Sequence, residues 1–153
     1  MNTKHVGSEK EFVAFAAAFA AALTPRLSSA TVVALSGELG AGKTTFAQGV
    51  AKTLGVEEVV ASPTFVIEKI YKLTGQKWEH LIHIDAYRLQ GAHELQTIGW
   101  RELATEPGNL IILEWPERVP ECIPESAIRL TFDIVGEGRI ITANGEAKST
   151  EGN

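Results

Sequence analysis

The chain has 153 residues, enough to bury a real core in one domain and too few for a comfortable second. With 44% hydrophobic and 22% charged residues it reads as an ordinary globular protein, and a formal net charge of -5 argues against a protein that grips nucleic acid by itself, because neutralising phosphates takes a basic face. Cys122 is the single cysteine, which excludes an internal disulfide and a thiolate metal cluster and favours a reducing compartment.

Residues 12–23 form an alanine-rich apolar run that could pass for the core of a signal peptide. Glu9 and Glu11 stand where a positive n-region belongs, and the run is too short to span a bilayer. Phe12, Phe15, Phe19 and Leu23 recur on one helical stripe, the alanines between them are strong helix formers, and Ser8 followed by Glu11 is a capping box. The pattern predicts a docked helix from Glu9 to Leu23, stopped by Thr24-Pro25.

Thr31 to Leu35 is a near-continuous apolar and β-branched run, as a strand buried on both faces should be. Directly after it, Gly37-Glu38-Leu39-Gly40-Ala41-Gly42-Lys43-Thr44 fits G-x-x-x-x-G-K-[ST] at every fixed position, with Thr45 following. The glycines let successive backbone N–H groups close round a phosphate, Lys43 reaches the outer phosphates, and the Thr44 hydroxyl takes one corner of an octahedral Mg²⁺. Phe46, Ala47, Val50, Ala51 and Leu54 recur at helical spacing, and Gly55 sits where a C-terminal cap belongs. Strand, loop and helix therefore aim a helix N-terminus at the bound phosphates.

Beyond the helix, Ser62-Pro63-Thr64-Phe65 is a rigid extended turn. Phe65 to Leu73 and Lys77 to Ile84 are β-rich runs around Thr74-Gly75-Gln76, a predicted hairpin that makes the sheet mixed. Leu81 to Asp85 is a strand ending in an acid; short helices are predicted over Ala92–Ile98 and Trp100–Ala104; Leu110 to Glu114 is a second buried strand ending in an acid. Three prolines between Trp115 and Ser126 predict a surface loop. Ile128 to Ile134 alternates apolar and polar residues, and Gly136-Glu137-Gly138 turns it into an antiparallel partner over Arg139–Ala143. Residues 1–147 are predicted to form one domain and 148–153 a loose tail.

Asp85 and Glu114 are the candidate acids for a metal shared among a loop hydroxyl, phosphate oxygens and water; in an open parallel sheet, strand-end residues face the ligand, although a strand-end acid also commonly caps a turn. Thr64 is placed to supply a switch hydroxyl, with an ordinary strand-start threonine as the plain alternative. Arg88 could pair with Asp85 or reach phosphate, and Trp115 could simply fill a gap under the proline loop. His80 and His83 are an odd number apart on one strand and so do not form a metal pair. The absence of Asn-Lys-x-Asp argues against a regulatory GTPase.

Taken together, the glycine loop, Ser62-Pro63-Thr64-Phe65, His83-x-Asp85-x-Tyr87-Arg88-Leu89, His93-Glu94-Leu95 with Gly99, Leu113-Glu114-Trp115-Pro116 and Gly138-Arg139 closely resemble the TsaE (YjeE) family. These are small bacterial P-loop ATPases of tRNA threonylcarbamoyladenosine biosynthesis. The resemblance runs from Ser8 to Gly145. It implies an α/β, P-loop NTPase-type three-layer domain whose mixed, mostly parallel central sheet is flanked by helices. It also implies an ATP and Mg²⁺ site, weak intrinsic hydrolysis, and two partners of the sugar-kinase fold, of TsaD and TsaB types, with tRNA reached only through them. By position, Lys43, Thr64, Asp85, Glu114 and Trp115 would be catalytic, residues Gly37 to Thr45 would hold the nucleotide, and Thr44, Glu114 and Asp85 would face the metal. The adenine would lie near Lys10 or Arg139. An ATP-dependent chain belongs in the cytoplasm and needs no membrane. The alternative from another class is a nucleoside-type kinase, suggested by the same loop and Asp85-Ala86-Tyr87-Arg88; a nucleotide-gated adaptor is a weaker third.

Overall fold

A computed structural model describes residues 2–57 and 68–144. In chain order these hold β1 (Asn2–Val6), α1 (Glu9–Ala22), β2 (Thr31–Ser36), α2 (Lys43–Thr53), β3 (Glu68–Lys72), β4 (His80–Asp85), α3 (Ala92–Thr97), α4 (Trp100–Thr105), β5 (Asn109–Glu114), β6 (Ile128–Val135) and β7 (Gly138–Asn144). The strands make one sheet in the order β1-β7-β6-β2-β5-β4-β3. Its four central strands, β6, β2, β5 and β4, run parallel, while β1, β7 and β3 are antiparallel to their neighbours. This is the mixed three-layer sheet that the sequence implied.

The two faces of the sheet bury different halves of the core. Val33 and Leu35 of β2, with Leu110 and Ile112 of β5, face α1 and α2. Val32 and Ala34, with Ile111 and Leu113, face α3, α4 and the chain after β5. Buried on both sides, β2 and β5 have no wet face, which is why they read as unbroken apolar runs. Phe12 of α1, Phe132 of β6 and Phe46 of α2 bind the first layer together: Phe132 lies 5.8 Å from Phe12 and 5.7 Å from Phe46 between ring centroids. Each such pair adds about 0.5–1.5 kcal/mol beyond simple burial.

Helix α1 starts as its sequence predicts: Ser8 Oγ accepts from the Glu11 N–H at 3.2 Å, and Glu11 Oε1 in turn accepts from Gly7 N–H at 2.7 Å. Its buried line differs from the phenylalanine stripe. Phe12, Ala16, Ala20 and Leu23 are buried, and Phe15 and Phe19 only partly so, because α1 crosses α2 closely at Ala16 and Gly49. The alanines are thus contact residues as well as helix formers. Helix α2 ends at Gly55 in a Schellman arrangement, Val56 N–H to Ala51 O at 3.0 Å and Gly55 N–H to Lys52 O at 3.1 Å, with Gly55 at φ 87°.

Three expectations need correction. Strand β1 was not predicted, since Asn2-Thr3-Lys4-His5-Val6 carries no apolar alternation; it exists by pairing with β7 at the sheet edge. The hairpin of β3 and β4 is present, but its connection is longer than the glycine turn. Trp78 leaves the strand to bury its ring, donating Nε1 to Thr31 Oγ1 at 3.4 Å, and Lys77 Nζ caps α1 by donating to Leu23 O at 2.6 Å. The proline segment after β5 runs along the surface at Glu117, Arg118, Pro120 and Glu121 but is not irregular throughout: it forms two single 3-10 turns, Pro116–Arg118 and Pro120–Cys122, and sinks Val119 completely into the second core layer. The extended turn around Thr64 and the tail 148–153 lie outside the described residues. Among those residues no helix is long and apolar enough to cross a membrane.

Candidate functional site

The loop joining β2 to α2 is shaped by close approach. A Cβ on Gly37 would stand 2.6 Å from the carbonyl oxygen of Phe132, and one on Gly42, at φ 109°, would stand 2.4 Å from Phe12 Cζ. Side chains at either place would push the loop off the sheet and off α1. Gly42 also brings no side chain to cap the first amides of α2, which leaves those N–H groups available to an anion. Leu39 and Gly40 are at the exposed tip, whereas Ala41 is buried beneath.

Lys43 is 5% exposed, and its ammonium turns back into the loop. It donates to the carbonyls of Gly37 and Glu38, the latter at 3.2 Å, and lies 4.0 Å from the centroid of the Trp115 ring. Burial pushes its pKa below the ordinary lysine value, against the opposing pull of Glu114 first, then Glu117, Asp85 and Glu38. A desolvated cation held only by carbonyls and a ring face gains from any anion that enters the loop.

Glu114 ends β5 beside the loop strand, in register with Leu35, and is 3% exposed. Its Oε2 accepts from Thr44 Oγ1 at 3.4 Å and lies 2.6 Å from His83 Nε2. Asp85 is the register partner of Glu114 on β4, one strand further out, and its Oδ1 accepts from the Tyr87 N–H at 3.0 Å. The structure therefore brings Lys43, Thr44 and Glu114 together with Asp85 alongside, while Thr64 lies outside the described residues. A hydroxyl and one or two carboxylates are hard oxygen donors, a set suited to Mg²⁺ that also binds phosphate and water. No group of three or more His, Cys, Asp or Glu that could hold a metal unaided occurs among the described residues. Arg88 is exposed and makes no ion pair among them.

Trp115 is the one non-glycine residue with positive φ, 65°, among the described residues. That conformation costs about 1–3 kcal/mol and persists only where the surroundings impose it. Here its N–H is held by Leu35 O at 3.1 Å, and its ring is packed 4.9 Å from Tyr87, over which the Arg118 guanidinium lies at 5.3 Å. The ring covers Lys43 instead of merely filling a gap.

On the other side of the loop is a cavity of about 260 Å³ between the chain start and the β6–β7 turn. Ser8, Glu9 and Phe12 form one wall, Gly42 and Thr45 the floor, and Arg139 the opposite side. Arg139 Nη2 donates to Gly40 O at 3.0 Å and so ties the β7 end to the loop tip. Sequence reasoning missed Phe12 as a wall of this cavity and gave His83, which lies against Glu114, no role in the site. The signal for His83 was strand parity: two residues before Asp85, it shares the face on which Asp85 lies.

The family model described as threonylcarbamoyl adenosine biosynthesis protein TsaE matches residues 6–141. The chain belongs to the TsaE family. A tRNA threonylcarbamoyladenosine biosynthesis protein TsaE of Borreliella burgdorferi is 34% identical over 139 residues, which span 90% of this chain and 96% of that protein. Its Streptomyces coelicolor counterpart is 39% identical over 112 residues, 72% of this chain and 74% of that protein. Among solved structures, the crystal structure of YdiB from Bacillus subtilis superposes with a TM-score of 0.76 at 28% identity, covering 99% of this chain and 92% of that one. The family in tRNA threonylcarbamoyladenosine biosynthesis and the mixed three-layer fold are thus those the sequence resembled.

Proposed function

We propose that this chain is the ATP-binding and ATP-hydrolysing component of the machinery that forms threonylcarbamoyladenosine next to the tRNA anticodon. The observation that carries the reading is the convergence of the Lys43 ammonium, the Thr44 hydroxyl and the Glu114 carboxylate at the mouth of the glycine loop. Phosphates enter between residues Gly37 to Thr45, where they receive backbone N–H groups and draw Lys43 off its two carbonyls. Thr44 and Glu114 would hold Mg²⁺, with Asp85 as the second acid, and the metal would supply charge neutralisation for the phosphates. Thr64 is the switch hydroxyl in this reading. Trp115 shields the lysine from water before phosphate arrives, so the ammonium enters that contact already partly desolvated. The cavity beside Phe12 and Arg139 takes the adenine; at about 260 Å³ it is just below the usual size of a ligand site and suits one part of a nucleotide.

The chain acts in the cytoplasm with two sugar-kinase-fold partners of TsaD and TsaB types, and meets tRNA only through them. Its net charge of -5 supports that indirect contact. The test is Mg²⁺-dependent phosphate release by the purified chain, alone and with the partners, with nucleosides added as acceptors. Slow hydrolysis that rises with the partners supports the reading; phosphate transfer to a nucleoside without partners supports the kinase alternative. Lys43→Ala should abolish nucleotide binding, and Glu114→Ala should bind but not hydrolyse. Normal turnover by both variants would remove the site assignment.

A further inference from the structure

We infer that His83 is a positioning residue for Glu114: its ring nitrogen Nε2 holds the carboxylate beside Thr44 and thereby sets the affinity of the site for Mg²⁺. The inference rests on the ATP and Mg²⁺ reading above. It starts from two neighbouring parallel strands. His83 on β4 is in register with Ile112, two residues before Glu114 on β5, so its ring must lean along the strand to reach the carboxylate. It does so at 2.6 Å with both side chains buried, at 1% and 3% exposure.

A carboxylate oxygen only accepts, so Nε2 carries the hydrogen. Nδ1 has no hydrogen-bond partner among the described residues, so the bond from Nε2 is the one the structure gives this ring. The same Oε2 also accepts from Thr44 Oγ1, so one oxygen of Glu114 is fixed from two directions. Glutamate has three side-chain torsions, and the opposite charge that Lys43 senses most strongly is Glu114. Without that donor, the carboxylate would be freer to turn toward the ammonium and form an ion pair useless to both. His83 keeps the two apart, the lysine for phosphate and the glutamate for metal. A partner that orients a metal-binding carboxylate typically changes metal affinity or activity by about 10–100-fold when it is removed.

The alternative is a core histidine satisfied by whichever acid lies near. Three variants separate the two: His83→Leu, which removes the donor; His83→Gln, whose amide nitrogen reaches the place of Nε2; and His83→Asn, which is equally polar but too short. Binding of a fluorescent ATP analogue to the full chain is followed in EDTA and during Mg²⁺ titration, with folding checked by thermal unfolding. In EDTA, His83→Leu and His83→Asn should bind the analogue as the parent does. Their Mg²⁺ midpoint should rise about 10–100-fold, and kcat should fall with KM for ATP little changed. His83→Gln should restore most of the loss. A folded His83→Leu with the parent's Mg²⁺ midpoint overturns the inference, and so does a Gln variant no better than Asn; the Gln and Asn pair decides if the Leu variant does not fold. A parent chain that binds no nucleotide would instead overturn the ATP reading on which this rests.

Discussion

Substitution of Gly49 tests how the first helix is held. Gly49 lies inside α2, where alanine would ordinarily stabilise by about 1 kcal/mol through helix propensity. A Cβ added there would stand 2.7 Å from Ala16 Cβ, about an ångström inside the ordinary carbon contact distance of about 3.5–4.0 Å. The obstacle is a methyl on a neighbouring helix with no torsion to relieve it, so α1 must move as a body. Overpacking of this kind costs about 1–3 kcal/mol, which leaves Gly49→Ala destabilised by about 1 kcal/mol after the propensity gain. Ala16→Gly alone should cost about 2 kcal/mol, from propensity and the loss of a buried methyl. The double variant moves the methyl from one helix to the other, so propensities cancel and the contact is restored. It should fall within about 0.5 kcal/mol of the parent, a coupling of roughly 2–3 kcal/mol between the two positions. Urea denaturation of the four proteins measures the cycle. Additive single effects, or a Gly49→Ala chain more stable than the parent, would refute the close packing on which the estimate depends.

Other expectations concern the site itself. Nucleotide binding should draw Lys43 from the Trp115 ring and change indole fluorescence; the change should survive Trp78→Phe and Trp100→Phe and disappear in Trp115→Phe. Because burial lowers the Lys43 pKa, the unfolded chain binds more protons between the folded value and the ordinary lysine value of 10.5. The Lys43 contribution to apo stability therefore rises with pH through that window, and the difference in stability between parent and Lys43→Met should shrink or change in the parent's favour as pH increases. For the same reason nucleotide affinity should begin to fall at a lower alkaline pH than for an ordinary lysine, as checked by titration of a fluorescent analogue. Cys122, whose thiol burial pushes up in pKa with help from Glu121, should alkylate more slowly at neutral pH than a free cysteine and faster after urea unfolding.

The parts of the fold legible in the sequence were those whose cause is local. Thr31 to Leu35 and Leu110 to Glu114 are buried on both faces, so each strand carries its own apolar signal. Ser8, Glu11 and Gly55 announce helix ends through the groups they themselves satisfy. What stayed hidden depends on a distant partner. Asn2 to Val6 is a strand because β7 offers an edge, and Trp78 leaves its strand because a place below Thr31 accepts its indole. In the site, the lysine, threonine and two acids were readable from spacing, whereas the His83 to Glu114 contact requires knowing that β4 and β5 are neighbours and in which register.

The candidate site is assembled from two sides of the loop. The side that holds Lys43 and Glu114 lies at the carboxyl ends of β2, β5 and β4, where the parallel pairing fixes Glu114 against both Leu35 and Asp85. The other side is made by the two ends of the described chain: α1 brings Phe12 under Gly42, and the start of β7 brings Arg139 onto Gly40. β1 joins these ends, since its register sets Val6 opposite Arg139. An edge strand of five residues, with little apolar burial of its own, therefore fixes the spacing between the two walls of the cavity. Pairing at a sheet edge is among the first interactions to open locally. Deleting residues 1–5 should thus leave Lys43, Thr44 and Glu114 in place while separating Arg139 from α1. If the adenine occupies this cavity, affinity for ATP should fall while inorganic triphosphate binds as before. Equal loss for both ligands would place the effect in the loop, and unchanged ATP affinity would move the adenine elsewhere.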